Sequence, residues 1–388
     1  MSLILFFSYL STFLFPLGQF GRISFFNQQI NLYPYEVSMA FGLFFLVLKH
    51  NTSPFKHSTT GRSILFFLLI LCLSFLITIG TFDIYANSVG FLYLFRLMFY
   101  FFHFIYLSTH FRSLKKEGNH LFKELAYLVF IIILSFWLQY ILYPNLRNLL
   151  YQGWDPHLYR VFGSFFEPYL AGSVLGLCLF FVYFRMFTKK NQAYLKFFVM
   201  GILFILLMLT FSRTVYVAMI FSLMVLFFKQ KKYIFIGVTI GSFIILAFAI
   251  PKPIGVGVQL FRTFSIDTRI QNAIEGVQLW VKHPILGIGY NRIRYEKANL
   301  GMAGKYDVSH AAASYHSSFV TILVAGGVWG LGGMLGMLWM LGKISTPSFY
   351  YILFLSILSA GDNALLHPFI LYILLKLLAF EYAQSSLE

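Results

Sequence analysis

Apolar runs of near-membrane length recur along the whole chain, separated by short polar breaks, and this constrains the fold more than any other feature. A spanning helix needs roughly 20 mainly apolar residues. Runs that meet or approach this length lie at about 3–20, 32–48, 64–82, 89–107, 122–143, 166–187, 197–211, 214–228, 233–250, 315–342, 348–361 and 364–380. Backbone polar groups in lipid must pair within their own segment, so each run is expected to be a helix. Composition agrees: 59% of residues are hydrophobic and 11% charged, against roughly 45–50% and about 25% in soluble domains. The expectation is an all-α polytopic membrane protein of about 12 transmembrane helices. It forms a single transmembrane domain over 1–388, with one large external loop at 251–314. The apolar N-terminal run has no basic leader and no small-residue cleavage pattern, so it reads as a retained first helix.

The net charge of +16 invites a nucleic-acid partner, but the basic residues sit in short clusters between apolar runs. Alternate loops carry Lys49, Lys56, Arg62; Arg112, Lys115, Lys116, Lys123; Lys189, Lys190, Lys196; Lys229, Lys231, Lys232; and Lys343. The other short loops carry Arg22, Arg147, Arg160 and Arg213, which makes 14 against 4. The positive-inside rule places the richer set in the cytoplasm, with both termini. That orientation needs an even number of spans, and no nucleic acid. Cys72 and Cys178 lie inside apolar runs and imply neither a disulfide framework nor a metal.

Charges near a membrane are costly, and four groups on the external face stand out. Arg160-Val-Phe-Gly163-Ser-Phe165-Phe-Glu167-Pro168 leads into the sixth span, with Pro168 suited to a first helical turn. Arg160 suits either an anion or a headgroup anchor. Thr210-Phe-Ser212-Arg213 is squeezed between two apolar runs. Its guanidinium, at a helix start, suits either a substrate anion or lipid phosphate. In the loop, Ile270, Ile274, Val277 and Val281 fall at helical spacing over about 267–282. Ser265 or Asp267 is a candidate cap and Pro284 a stop. That helix carries Arg269 and Trp280 and runs into His283-Pro284-Ile-Leu-Gly287-Ile-Gly289, where His283 is a capping or packing residue before it is a catalyst. Last, Tyr315-His316-Ser317-Ser318 enters the tenth span; His316 is either a helix cap or a proton acceptor working near neutral pH. Gly326-Gly327, Gly330, Gly332-Gly333 and Gly336 mark a close-packing face. Asp155, Glu167, Asp267, Glu275, Glu296 and Asp307 are scattered, and His310 and His316 lack metal-ligand spacing.

The order and spacing of these four groups resemble the bacterial O-antigen ligase / O-antigen polymerase superfamily over roughly 155–340. Arg160 to Pro168 is similar to its R-x-x-G-x-F…P element, Thr210 to Arg213 to its T-x-S-R element, and Arg269 to Gly289 to its R…W…HPxxGxG element. His316-Ser317 is similar to its H-N element, with serine in place of asparagine. The resemblance implies a fold similar to the C-type glycosyltransferases and a bacterial inner-membrane location. It also implies metal-independent, inverting glycan transfer from a polyprenyl-pyrophosphate carrier to a sugar or glycolipid hydroxyl, without a cofactor. Under that reading His316, Arg213 and Arg269 are the catalytic candidates, and Arg160, Ser212 and Trp280 bind substrate. The competing expectation is a lipid-linked oligosaccharide flippase. Such a protein would carry more mid-span charge than Arg96 and Lys376, and matching halves.

Overall fold

The computed structural model describes residues 3–26, 28–50, 58–113, 118–152, 154–250, 264–302, 304 and 313–385. Each expected apolar run contains a helix. These are α1 (Leu3–Leu14), α2 (Pro34–His50), α3 (Thr59–Ile77), α4 (Ile84–Ser113), α5 (Gly118–Leu142), α6 (Pro168–Arg185), α7 (Ala193–Met208), α8 (Arg213–Lys229) and α9 (Tyr233–Ala249). After the loop helices α10 (Phe264–Lys282) and α11 (Ile293–Asn299) come α12 (Ser318–Gly342), α13 (Thr346–Gly361) and α14 (Pro368–Gln384). Among the described residues, six helical segments are long and apolar enough to cross a membrane, and three shorter ones are also apolar. The chain is a predominantly helical membrane protein. Helices α6 and α14 are buried almost all round and form its centre. Around them, α4 packs on α14, α8 on α13, α3 on α12 and α1 on α2.

Two departures from the expected spans shape the external end. The first run does not continue as one helix to residue 20. Pro16 follows α1, and Gly18 at φ +50° breaks the turn over Phe15–Gly21. A Cβ at Gly18 would sit 2.4 Å from the Ser164 carbonyl oxygen, so the chain folds back against the turn Gly163–Phe165. The fold is also not wholly helical: β1 (Ile23–Phe25) pairs antiparallel with β2 (Ile30–Leu32), Ser24 opposite Asn31. Mid-span charges are paired. Lys376 bonds Glu124, both buried, and Arg96 bonds Glu36 at 2.7 Å.

The loop helix α10 is described over Phe264–Lys282, with Asp267 in its first turn, and the Ser265 side chain lies outside the described residues. It stops at Lys282, just before Pro284, as expected. Its apolar stripe is turned outward: Ile270, Ile274, Val277 and Val281 are all exposed. The helix packs through the opposite side, where Gly276 lets it approach Val320 of α12 and Leu279 joins a buried cluster with Ile288, Tyr315 and Val324. Asp307 and His310 lie outside the described residues.

The run His283–Gly289 is a clamp on α12. Helix α12 breaks at Gly327, φ +63°. The clamp enters the break, with Ile288 and Gly289 donating to the carbonyls of Val324 and Ala325 at 3.0 and 2.9 Å. In return Val328 donates to the Pro284 carbonyl at 3.0 Å. A methyl at Gly327 would lie 2.1 Å from the Ile285 oxygen, and one at Gly287 2.4 Å from the Val324 oxygen. Positive φ and backbone contact together forbid a side chain at these two positions. Arg292, fully buried, bolts the clamp to the preceding helices through the Phe75 carbonyl at 3.0 Å and Thr78 Oγ1 at 2.6 Å. Gly327→Ala is therefore expected to abolish recovery of monodisperse protein from membranes. Gly332→Ala, whose methyl would meet nothing within 4 Å, is expected to leave it intact; equal yields would disprove the clamp.

Candidate active site

One polar cavity of about 610 Å³ opens at the end of the helices where α6, α8, α12 and α14 begin and α13 ends. Arg160, Ser212, Arg213, Arg269 and His316 all line it. Trp280 does not. Its indole N–H donates to the Pro284 carbonyl at 3.0 Å, so it braces the clamp from outside the cavity.

Each side chain is placed by local structure. Arg160 is buried, and its Nε and Nη2 donate to the carbonyls of Thr210 and Phe211 at 2.9 and 3.1 Å. It thereby holds the Thr210–Arg213 turn. That turn is tight: Phe211 stands at φ +48°, and Thr210 Oγ1 accepts the Ser212 N–H at 3.3 Å. Ser212 is the residue before α8 and makes no side-chain cap bond to it. Ser212 and Arg213, at the start of α8, line the cavity, so the positive dipole end of that helix adjoins it, an arrangement suited to an anion.

Helix α10 supplies Arg269 from the other side. Its Nη2 pairs with Asp362 Oδ1 at 2.7 Å, and Asp362 Oδ2 accepts a bond from Thr214 Oγ1. One carboxylate therefore ties Arg269 to the first turn of α8. Burial pushes the Asp362 carboxyl up to about 6, against the pull of Arg269 and the Thr214 bond. Asp362 was not among the sequence candidates. It follows α13 in a short break between two apolar runs, and a lone buried acid there was the only available signal.

His316 sits just before α12. Its backbone N–H donates to Asn272 Oδ1 of α10 at 2.8 Å, which fixes it relative to Arg269 one turn away. Its ring is open to the cavity. Burial, then the Arg269 cation, holds it below the ordinary imidazole value, with Asp155 opposing and Lys297 adding to the depression. The ring is accordingly neutral, and able to accept a proton, at neutral pH. Ser317, which replaces the asparagine of the resemblance, caps α12 through the Val320 N–H and donates to the Ser359 carbonyl at 3.1 Å. An amide does stand at the cavity, on Asn363, whose Oδ1 accepts from Ser318 at 2.8 Å.

The cavity lining carries five arginines, Arg22, Arg96, Arg160, Arg213 and Arg269, and three carboxylates, Asp155, Glu167 and Asp362. The balance favours an anionic ligand. The acids are less scattered than the sequence suggested: ligand atoms of Asp155, His157 and Glu167 lie within 4.8 Å of one another. The chain's fold-back brings Asp155 and His157 onto the residue before α6, a proximity that spacing alone does not display.

Fold and site together define a predominantly helical membrane protein with an arginine-lined polar cavity at one end of its bundle. Residues 198–335 match the family model described as O-antigen ligase. The matched stretch holds Arg213, Arg269 and His316; Arg160 and Asp362 lie beyond it. No curated protein matches the chain.

Proposed function

We propose that this chain transfers an oligosaccharide or polysaccharide from a polyprenyl-pyrophosphate carrier to a sugar hydroxyl at the external face of the bacterial inner membrane. The observation that carries this reading is that Arg213, Arg269 and His316, far apart in sequence, line one cavity. The imidazole of His316 takes the acceptor's hydroxyl proton. The acceptor oxygen attacks the anomeric carbon as its bond to the pyrophosphate oxygen breaks, inverting that centre. The pyrophosphate leaves with the bonding electrons, and its growing charge falls to Arg213, Arg269 and the first turn of α8. Asp362 positions Arg269 for this, and Arg160 positions the turn that carries Arg213. In this reading the chain crosses the membrane twelve times with both termini in the cytoplasm, the orientation the positive-inside rule favours, and the cavity opens on the external side.

Arginines suffice to neutralise a pyrophosphate leaving group, so the reading needs neither metal nor cofactor. Asp155, His157 and Glu167 make that a pointed claim. Transfer by purified protein is expected to survive exhaustive chelation unchanged; loss on chelation and recovery with a divalent ion would move the chemistry to that cluster. The same assay, supplied with a lipid-linked repeat unit and a separate acceptor, separates two modes. A ladder of products marks a polymerase, and a single addition marks a ligase. No transfer from any pyrophosphate-linked glycan, by protein that is folded and membrane-inserted, defeats the reading altogether.

A further inference from the structure

The outward-turned stripe of α10 has a definite setting. Asn272 Oδ1 accepts the His316 N–H at 2.8 Å, Gly276 abuts Val320, and the Pro284 carbonyl accepts the Val328 N–H at 3.0 Å. The register is the same at all three contacts, so α10 runs beside the cavity end of α12 in the same direction. From Asn272 to Lys282 this covers roughly 15 Å, by helical rise. Helix α12 is among those long and apolar enough to cross the membrane. A helix packed lengthwise on it turns its far side to whatever surrounds the bundle.

That far side is sorted by polarity. At helical spacing Ile270, Ile274, Val277 and Val281 fall on one line, away from Gly276 and Leu279, which pack inward. Gln271, Gln278 and Lys282, also exposed, form a polar edge beside that line. The apolar surface does not end with the helix. Ile285 is exposed, and its carbonyl accepts the Trp329 N–H at 3.5 Å. Val328 and Trp329 are themselves exposed on α12. The stripe therefore leads onto the outer surface of a spanning helix, which lipid covers.

We propose that α10 lies in the headgroup layer at the cavity end of the bundle, its apolar line in the acyl boundary and its polar edge towards water. Helices sorted in this way bury their apolar face about 5–10 Å into that boundary. The partner is the lipid leaflet itself, and α10 is an interfacial element of the fold, not part of an aqueous loop. The consequence is positional. Arg269, on the flank of α10, lines the cavity, and Asn272 holds the His316 backbone. Fixing the depth of α10 fixes the height of both groups relative to the bilayer. That consequence rests on the glycan-transfer reading; the lipid contact does not.

The test uses the full-length protein in nanodiscs of phosphatidylethanolamine and phosphatidylglycerol. In a Cys72→Ala, Cys178→Ala background, Ile270→Cys, Ile274→Cys, Val277→Cys, Val281→Cys, Gln271→Cys and Gln278→Cys each carry a nitroxide. Electron paramagnetic resonance reads collision with oxygen, which concentrates in lipid, and with a water-soluble nickel chelate. The four stripe positions are expected to be open to oxygen and shielded from nickel, and the two glutamine positions the reverse. Equal nickel access at all six overturns the proposal, because the stripe then faces water. Stripe positions closed to both reagents overturn it in favour of a protein cover, from this chain or a second copy. A benzophenone amino acid in place of Val277, in the otherwise native chain, needs no cysteine background. It is expected to form a phospholipid adduct by mass spectrometry, and the same group in place of Gln278 is not; no adduct at Val277 overturns the lipid contact. For the positional consequence, Val277→Asp is expected to lower transfer and Gln278→Asp to leave it unchanged. Equal transfer by the two overturns that role, whereas absence of transfer in the wild type, with the lipid contact intact, counts against the catalytic reading alone.

Discussion

His316→Ala is expected to lower glycan transfer by between about 100- and 10,000-fold, the range for loss of a positioned general base. Protein level and membrane insertion should not change, because the ring faces the cavity and the fold is held at this point by backbone and neighbours: the His316 N–H on Asn272, Ser317 on Ser359 and Ser318 on Asn363. The pH profile sharpens the test. His316 is held below its ordinary value by burial and by Arg269, so its basic form persists as pH falls to the usual imidazole value of about 6.5 and is lost only below that. Asp362, raised to about 6 by burial, loses its charge over a similar acid range and loosens its hold on Arg269. The wild-type rate should therefore be flat near neutrality and fall on the acid side. A variant at His316 with wild-type turnover would falsify the base assignment, whatever the fate of the arginines.

The second large effect concerns Arg269. Arg269→Ala removes one of two guanidinium groups facing the leaving pyrophosphate, and transfer should drop about 100- to 1,000-fold, the scale for loss of one charge-stabilising donor. Lysine should rescue it only in part, because a point charge cannot meet both Asp362 and a phosphate with a planar fork. Asp362→Asn should cost less, since Arg269 stays but is no longer anchored to Thr214 and the start of α8. The informative variant is the double one. If Asp362 acts only by positioning Arg269, then Arg269→Ala with Asp362→Asn is no slower than Arg269→Ala alone, because residues acting as a unit are not additive. Additive losses would show that Asp362 has a separate role, and that the present assignment is wrong.

Two of the sequence candidates changed character in three dimensions. Arg160 has its guanidinium on two backbone carbonyls, so its first duty is to shape the Arg213 turn. Trp280 stands outside the cavity and braces the clamp. Conversely, Asp362 and Arg292 were not among the sequence candidates, yet one holds Arg269 and the other is the largest fully buried side chain among the described residues.

The one-dimensional string decided the helices, because lipid leaves a backbone no alternative to internal hydrogen bonding, and length and hydropathy are local quantities. It also decided where α6 starts and α10 stops, through Pro168 and Pro284, and where the polar breaks that carry Arg160, Arg213 and His316 fall. What it did not contain was which breaks meet. That depended on Gly327 opening α12 to receive the His283–Gly289 clamp, on Gly18 turning the first run back onto Ser164, and on Asp362 bridging α10 to α8. These are contacts between segments far apart in the chain, made through backbone conformation and single buried bonds that no periodicity encodes. Only the packed bundle turned four separate polar breaks into one cavity.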